Sequence, residues 1–307
     1  MLLKKTVKQK YRILNKKILL VLYAVLVFIH FVVKDSISPF HILYYAFPPL
    51  LLIIGSLFLS VLFFSVKKVF YPMIVCFLFL LLYWFSYYYN GQPSLNNLNT
   101  TSSILFWNVG RKGGESMDII IKKVKEQKIS FIALVEAEEM TDVDLGRFKK
   151  TFPGYSIQKL QGDMVLAVKG KIKDVSYYCQ DLSYKFNYVT VILDHQKNSI
   201  LIADVNAVPF NNRESALHTI YEFTKKNNCS FIAGDFNTPY ESVHFNDYRN
   251  NLNSFHSVSK GFTATWLYGI PLFEIDQIWS AKKITPVVLE KEFYKVSDHA
   301  LLIGAYK

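Results

Sequence analysis

Apolar positions follow two regimes along the chain. No formal charge interrupts Ile18–Val33, and after Lys34-Asp35 two more uncharged runs follow, Ser36–Val66 and Val69–Tyr89, parted by Lys67-Lys68. As a helix the first run spans roughly 24 Å, short for a hydrocarbon core unless flanking lysines reach outward. Runs of this length with no polar face do not suit a water-soluble core. A cleavable leader is disfavoured, because no small-x-small pattern follows the first run and two further runs stand directly behind it. The pattern predicts three membrane helices in residues 1–90, with Pro48-Pro49 starting or kinking the second. The stretch from Asn90 to Ser103, rich in Gly, Pro, Ser, Asn and Thr, predicts a linker over 91–102.

Beyond it the apolar residues come in short blocks. Ile104–Val109 and Phe131–Val135 read as buried strands around a helix at Ser116–Lys128. Tyr155–Leu160, Met164–Lys169, Val175–Cys179, Asn187–Leu193 and Ile200–Val205 read as further strands, followed by a helix at Arg213–Lys226. Phe231–Ala233 is a short buried strand, broken by Gly234. Phe262–Trp266, Phe273–Trp279, Pro286–Glu290 and Val296–Ile303 complete the set. Strand, helix, strand at each end with antiparallel strands between predicts two sheets packed face to face and covered by helices, in one domain over 103–307.

Charge sharpens the division. Of 35 Lys and Arg and 24 Asp and Glu, ten and one lie in residues 1–90, a net of +9, which leaves 25 and 23 for the remainder, a net of +2. The remainder thus lacks the basic face of a dedicated nucleic-acid-binding domain. The basic tail and Lys67-Lys68 should both be cytoplasmic with two helices between them, which sends the third helix outward. Trp84, Tyr87, Tyr88 and Tyr89 would form its interfacial belt, and the 103–307 domain would lie outside the cytoplasm. Cys76, Cys179 and Cys229 form no C-x-x-C, so a zinc or thioredoxin-type site is not expected. Cys179 and Cys229 could pair in an oxidising compartment, but buried unpaired thiols are the preferred reading.

The chemistry sits where strands end. Asn108, Glu136 and Asp235 each close an apolar block. Asp235 and Asn237, two positions apart on an extended chain, should point the same way. An acid beside an amide suits water activation and oxyanion binding. Such residues are also ordinary turn formers.

Taken in order, Trp107-Asn108-Val109, Val135-Glu136, Gly234-Asp235-Phe236-Asn237, Thr265-Trp266, Ile275-Asp276-Gln277-Ile278 and Ser297-Asp298-His299 resemble the DNase I-like endonuclease/exonuclease/phosphatase superfamily. With the helices in front and Thr238-Pro239-Tyr240-Glu241-Ser242 after the acid, the chain looks most like its membrane-anchored bacterial branch. The resemblance covers roughly 103–307. It implies a four-layer α/β sandwich and cleavage of phosphate esters dependent on Mg²⁺ or Mn²⁺. It also implies that Glu136 holds the metal with Asn108 beside it, and that Asp235 orients or deprotonates the attacking water. Asn237 would bind a phosphate oxygen, His299 would contact the scissile phosphate with Asp276 orienting its imidazole, and Asp298 would lie near the metal or leaving group. The family's histidine on the strand before the central helix is missing. Asn206 best takes its position, with Asp204 as a second possibility. Arg213 could meet an acid or a phosphate, or simply sit at a solvated helix end.

The expectation is a phosphoesterase anchored in the inner or plasma membrane. Its partners would be the bilayer and a phosphate-ester substrate (nucleic acid, nucleotide, lipid head group or sugar phosphate), with no dedicated protein partner evident. The alternative is a catalytically silent, membrane-tethered interaction module that keeps the fold.

Overall fold

The computed structural model describes residues 16–91, 102–193 and 195–307. The chain divides into two compact units, Met1–Tyr87 and Tyr88–Lys307.

In the first unit, α1 runs over Lys16–Val33, its last turn Ile29–Val33 wound as a π-helix. Then come α2 (Phe40–Ala46), α3 (Pro49–Leu62) and α4 (Lys67–Tyr88). Two of these, α1 and α4, are long and apolar enough to cross a membrane. The run expected to form the second span is instead a pair, α2 and α3, bent by 80°. The break falls where anticipated: Pro48 is extended (φ −62°, ψ 161°), and Pro49 begins α3 because proline has no N–H to lose in a first turn. The pair is either one broken span or a re-entrant loop, so the unit has two or three crossings by length and composition. Tyr23 on α1 donates to the Leu52 carbonyl of α3 at 2.9 Å, and Tyr45 donates to the buried Asp35 at 3.0 Å. The basic residues before Lys16 and the polar stretch 92–101 lie outside the described residues.

The second unit begins with β1 (Tyr89–Gly91), then β2 (Ser102–Asn108), so both ends of the expected linker are strands. There follow α5 (Gly114–Glu126), β3 (Ile129–Val135), α6 (Asp142–Thr151), β4 (Ser156–Leu160), β5 (Met164–Val168), β6 (Gly170–Gln180), β7 (Tyr184–Leu193) and β8 (Gln196–Val205). The chain closes with α7 (Glu214–Lys226), β9 (Phe231–Asp235), α8 (Asn246–Asn251), β10 (Leu252–Ser254), β11 (Lys260–Phe262), β12 (Asp276–Ala281), β13 (Pro286–Phe293) and β14 (Ala300–Tyr306).

Two six-stranded sheets result, ordered β13-β14-β2-β3-β5-β4 and β10-β12-β9-β8-β7-β6. Phe106, Phe131, Leu166 and Leu302 of the first interdigitate with Val191, Ile202, Phe231 and Ala233 of the second in one dry core. Side chains alternate along a strand, so the same strands offer a second apolar face outward. On the first sheet that face is covered by Met117, Ile120 and Val124 of α5 and Phe148 of α6. On the second, α7 covers it through Leu217, Ile220 and Tyr221. The unit is thus a four-layer α/β/β/α sandwich.

The sequence reading passed over α6, although Thr141 and Asp144 form a capping box at its start. Phe262–Trp266 is not a strand beyond Phe262, and the strand expected at Phe273 starts only at Asp276. Gly234 does not break β9. It lies inside the strand, where a Cβ would stand 2.6 Å from the Ala203 carbonyl oxygen of β8. The glycine is there for close approach of a neighbouring strand, not for a turn.

Gly234→Ala should therefore lower the melting temperature of the purified chain by several degrees, through an overpacking cost of about 1–3 kcal/mol. Gly146→Ala, in α6 with open space at its Cβ, should leave the melt unchanged or raise it.

Candidate active site

β2, β3, β8 and β9 deliver polar residues at their carboxyl ends. β2 and β3 pair in parallel with Asn108 opposite Val135, and β8 and β9 pair in parallel with Asp204 opposite Asp235. Parallel pairing puts both carboxyl ends of each pair on one side. The antiparallel neighbours contribute from their starts: Asp276 opens β12 directly across from Asp235, and His299 immediately precedes β14.

Asn108 joins the two sheets. Its side-chain nitrogen donates to Asp235 Oδ2 at 2.9 Å and to Glu136 Oε1 at 3.2 Å, while its oxygen accepts from the Gly110 amide at 2.9 Å. It is a fully buried donor between two carboxylates, beside the Glu136 expected to hold a metal. Its own carbonyl accepts from the Ser297 hydroxyl at 2.7 Å, which in turn accepts from the His299 amide at 3.1 Å.

Asp235 and Asn237 do not continue an alternating strand. Asp235 Oδ1 accepts from the Asn237 backbone amide at 2.9 Å, and Asn237 takes a left-handed φ of 48°. Such a turn is one that Asp and Asn favour. The Asn237 side chain donates one N–H to the Val205 carbonyl at 2.8 Å. Its side chain lines a cleft of about 420 Å³ together with Glu136, Asp204, Asn206 and Lys185.

His299 lies between carboxylates. Nδ1 is 2.9 Å from Asp276 Oδ2, and Nε2 is 3.8 Å from Asp235 Oδ2 and 3.9 Å from Asp298 Oδ1. Burial by itself would lower the pKa of this imidazole, but Asp276, Asp235 and Asp298 together raise it to about 10. Asp235 is moved well above the usual carboxylate range, first by complete burial and then by the charge of Asp276, with His299 opposing. The other oxygen of Asp276 is buried without a hydrogen-bond partner. Asp298 accepts from the Trp266 indole at 2.8 Å, which places it on the His299 side of the site.

Asn206 stands at the cleft wall, its oxygen accepting from the Val208 amide at 2.8 Å. Arg213 does not sit at a solvated helix end. It is buried and donates to the carbonyls of Asn206 and Ala207 at 3.3 and 3.0 Å, holding that loop from below. Two features escaped the sequence reading. Arg111 approaches Glu136 at 3.7 Å, and Lys185 of β7 bonds Asp204 at 3.1 Å. Burial raises Asp204 to about 6 against that lysine. Nothing in the spacing of Lys185 and Asp204 signals their meeting, which depends on the β7–β8 register. Cys179 and Cys229 are free; Cys229 is buried, whereas Cys179 is exposed, contrary to expectation.

Among the described residues, Asp235, Asp276 and His299 have donor atoms within 4.8 Å of one another, close enough to share an ion. They are already bonded to each other or to Asn108 and are nearly inaccessible. Glu136 suits a hard divalent cation better, because its side chain is 32% exposed and borders the cleft. Mg²⁺ takes one or two carboxylates and keeps several waters.

Asp276→Asn should lower the His299 pKa from about 10 towards its ordinary value, read from imidazole ¹⁵N shifts in a pH titration. The sign follows from the raised pKa. The histidine's contribution to stability is whole below pH 6.5 and fades as pH climbs to about 10, and the variant should lose that contribution.

No protein-family model and no curated protein matches this sequence. Solved structures do. An endonuclease/exonuclease/phosphatase family protein from Bacteroides thetaiotaomicron superposes with a TM-score of 0.54 at 12% identity, over 67% of this chain and 97% of that one. TDP2 of D. rerio, complexed with single strand DNA product, gives 0.53 at 14% identity over 68% and 100%. The mannosyl-6-phosphatase of B. thetaiotaomicron gives 0.50 at 11% identity over 67% and 99%. At such identities the likeness is one of fold, and residues 88–307 have the DNase I-like fold of the endonuclease/exonuclease/phosphatase family.

Proposed function

We propose that this chain is a membrane-anchored, divalent-metal-dependent phosphoesterase. The observation that carries the reading is the convergence of Asn108, Glu136, Asp235, Asp276 and His299, from both sheets, at one end of the sandwich. The superposed structures include a DNA-bound protein and a sugar-phosphate phosphatase, which supports phosphate esters as the substrate class.

Each residue has a task set by its surroundings. Glu136 would hold Mg²⁺ or Mn²⁺, which when bound offsets negative charge building on the phosphoryl oxygens. Asp235, its pKa raised by burial and by the charge of Asp276, is a stronger base than an ordinary carboxylate and would take a proton from the attacking water. Its position is fixed by the Asn108 amide and the Asn237 backbone. His299, held protonated by Asp276, presents Nε2–H to an anionic oxygen. Asn237 and Asn206 each keep side-chain N–H groups for phosphate oxygens, since the contacts they make at the cleft wall use one N–H of Asn237 and the oxygen of Asn206. Asp298, held by the Trp266 indole beside His299, would lie near the metal or the leaving group. Donors fixed before the substrate arrives need no reorganisation as charge develops, which is where their catalytic value lies.

The orientation follows lysine placement: three crossings, with α2 and α3 together making the second, and the catalytic unit outside the cytoplasm. An externally added, membrane-impermeant thiol reagent should label a cysteine introduced within 92–100 in intact cells whose outer layer, if present, has been permeabilised. Labelling only after lysis would place the unit in the cytoplasm.

The detergent-purified full chain should turn over members of a panel of phosphodiesters and phosphomonoesters when Mg²⁺ or Mn²⁺ is supplied. Chelation should abolish turnover, and Glu136→Ala or Asp235→Ala should cut it by about 10²-fold or more. Absence of turnover across the panel, together with a melting temperature indifferent to metal, would leave the silent interaction module as the better account.

A further inference from the structure

Ten large hydrophobic residues are exposed among the described residues of the second unit, and six of them sit either on loops at the cleft or on segments next to Asp298 and Gly269: Leu182, Val208, Phe210, Tyr268, Ile270 and Phe293. They fall into two groups. Leu182, in the β6–β7 turn, is 77% exposed, and Phe210, in the β8–α7 loop, is 71% exposed. Asn211 donates to the Leu182 carbonyl at 2.8 Å, so the two loops form one rim, and Leu182 and Val208 line the cleft beside Asn206 and Asn237. Across the constellation, the Tyr268 amide donates to the Asp298 carbonyl at 2.9 Å, next to His299. Gly269 packs against Phe293 at the end of β13, and Tyr268 and Ile270 are 60% and 51% exposed.

Loop tips on a water-facing cleft are ordinarily polar, and clustered exposed apolar groups mark an interaction surface. The occupant is indicated by the chain itself. Tyr88 ends a helix apolar enough to span a bilayer, and β1 begins at the next residue. β1 pairs with β11, and the chain running on from β11 through Thr265 and Trp266 forms the loop that carries Tyr268 and Ile270. The anchored strand and one apolar rim therefore share a single stretch of chain.

We propose that the cleft mouth docks on a lipid surface through these rims, so that the phosphate ester reaching the site is one carried by a membrane lipid. The docking rests on the exposed rims and on α4 as a membrane span; the substrate class rests on the phosphoesterase reading above. A rim of apolar tips sinks among acyl chains and headgroups at a gain proportional to the area removed from water, while the polar cleft receives the headgroup.

Two measurements on the full chain in phosphatidylcholine nanodiscs test it. In the first, Phe210→Cys, in a chain with Cys76→Ser and Cys179→Ser, is labelled with a polarity-sensitive fluorophore. The expected result is blue-shifted emission quenched by doxyl-labelled lipid; emission as in water, without quenching, overturns docking whatever the turnover. In the second, the Phe210→Ser/Ile270→Ser double variant is compared with the parent. The substrates are phosphatidic acid or phosphatidylglycerol in the disc, and p-nitrophenyl phosphate or bis(p-nitrophenyl) phosphate in solution. The variant should lose about tenfold or more on the lipids, from the lost burial of two large side chains, with turnover of the soluble esters within about twofold. Equal losses on both classes, or no loss on the lipids, overturn the proposal, as does a parent that hydrolyses soluble esters alone. A parent inactive on every ester with intact quenching sinks the phosphoesterase reading and leaves the docking standing.

Discussion

Two carboxylates facing each other across adjacent strands, both buried, are the constraint around which the second unit is arranged. Asp235 and Asp276 are register partners and each is 1% exposed. Burying two like charges costs several kcal/mol per ion unless something answers them. His299 answers both, with one ring nitrogen towards each, and Asn108 adds a donor to Asp235 from the other sheet. Thr265 fixes the backbone at this point by accepting from the amides of Ile275 and Asp276 at 3.1 and 3.0 Å. The arrangement holds only if both sheets end at the same level. The packing of Phe131 against Phe231 and the rest of the inter-sheet core therefore determines the chemistry at the rim.

That dependence explains which parts of the molecule could be read from the chain. The sandwich was legible because its strands are short, apolar and bounded by turns, and because their order with the intervening helices admits few topologies. Asn108, Glu136 and Asp235 were legible for the same reason: an acid or amide directly behind a buried block stands at a sheet edge whatever the fold. Asp276 and His299 carry no such local sign. Their place came from the order of motifs, and their hydrogen bond spans twenty-three positions.

What stayed hidden is what register and turn geometry decide. Gly234 read as a breaker because glycine's commonest use is in turns, whereas here it admits the carbonyl of a neighbouring strand. Asn237 read as an alternate strand position, yet a left-handed backbone hands it to Val205. Lys185 and Asp204 meet across β7 and β8, a pairing that no spacing rule encodes. In the apolar unit, hydropathy located the second run, and the Pro48-Pro49 step then divided it by an angle that composition does not specify.

Under the phosphoesterase reading, the amide at Asn206 bears on the kind of ester the site would cleave. Histidine at that position would add a second ring able to pass a proton to the departing oxygen. An amide offers only a hydrogen bond, which leaves the Nε2–H of His299, its Nδ1 held by Asp276, as the one imidazole proton of the constellation. A hydrolase so equipped leans on the intrinsic acidity of the alcohol it expels. Its rates across a series of esters would fall steeply as that alcohol becomes more basic, a linear free-energy slope set by one missing ring.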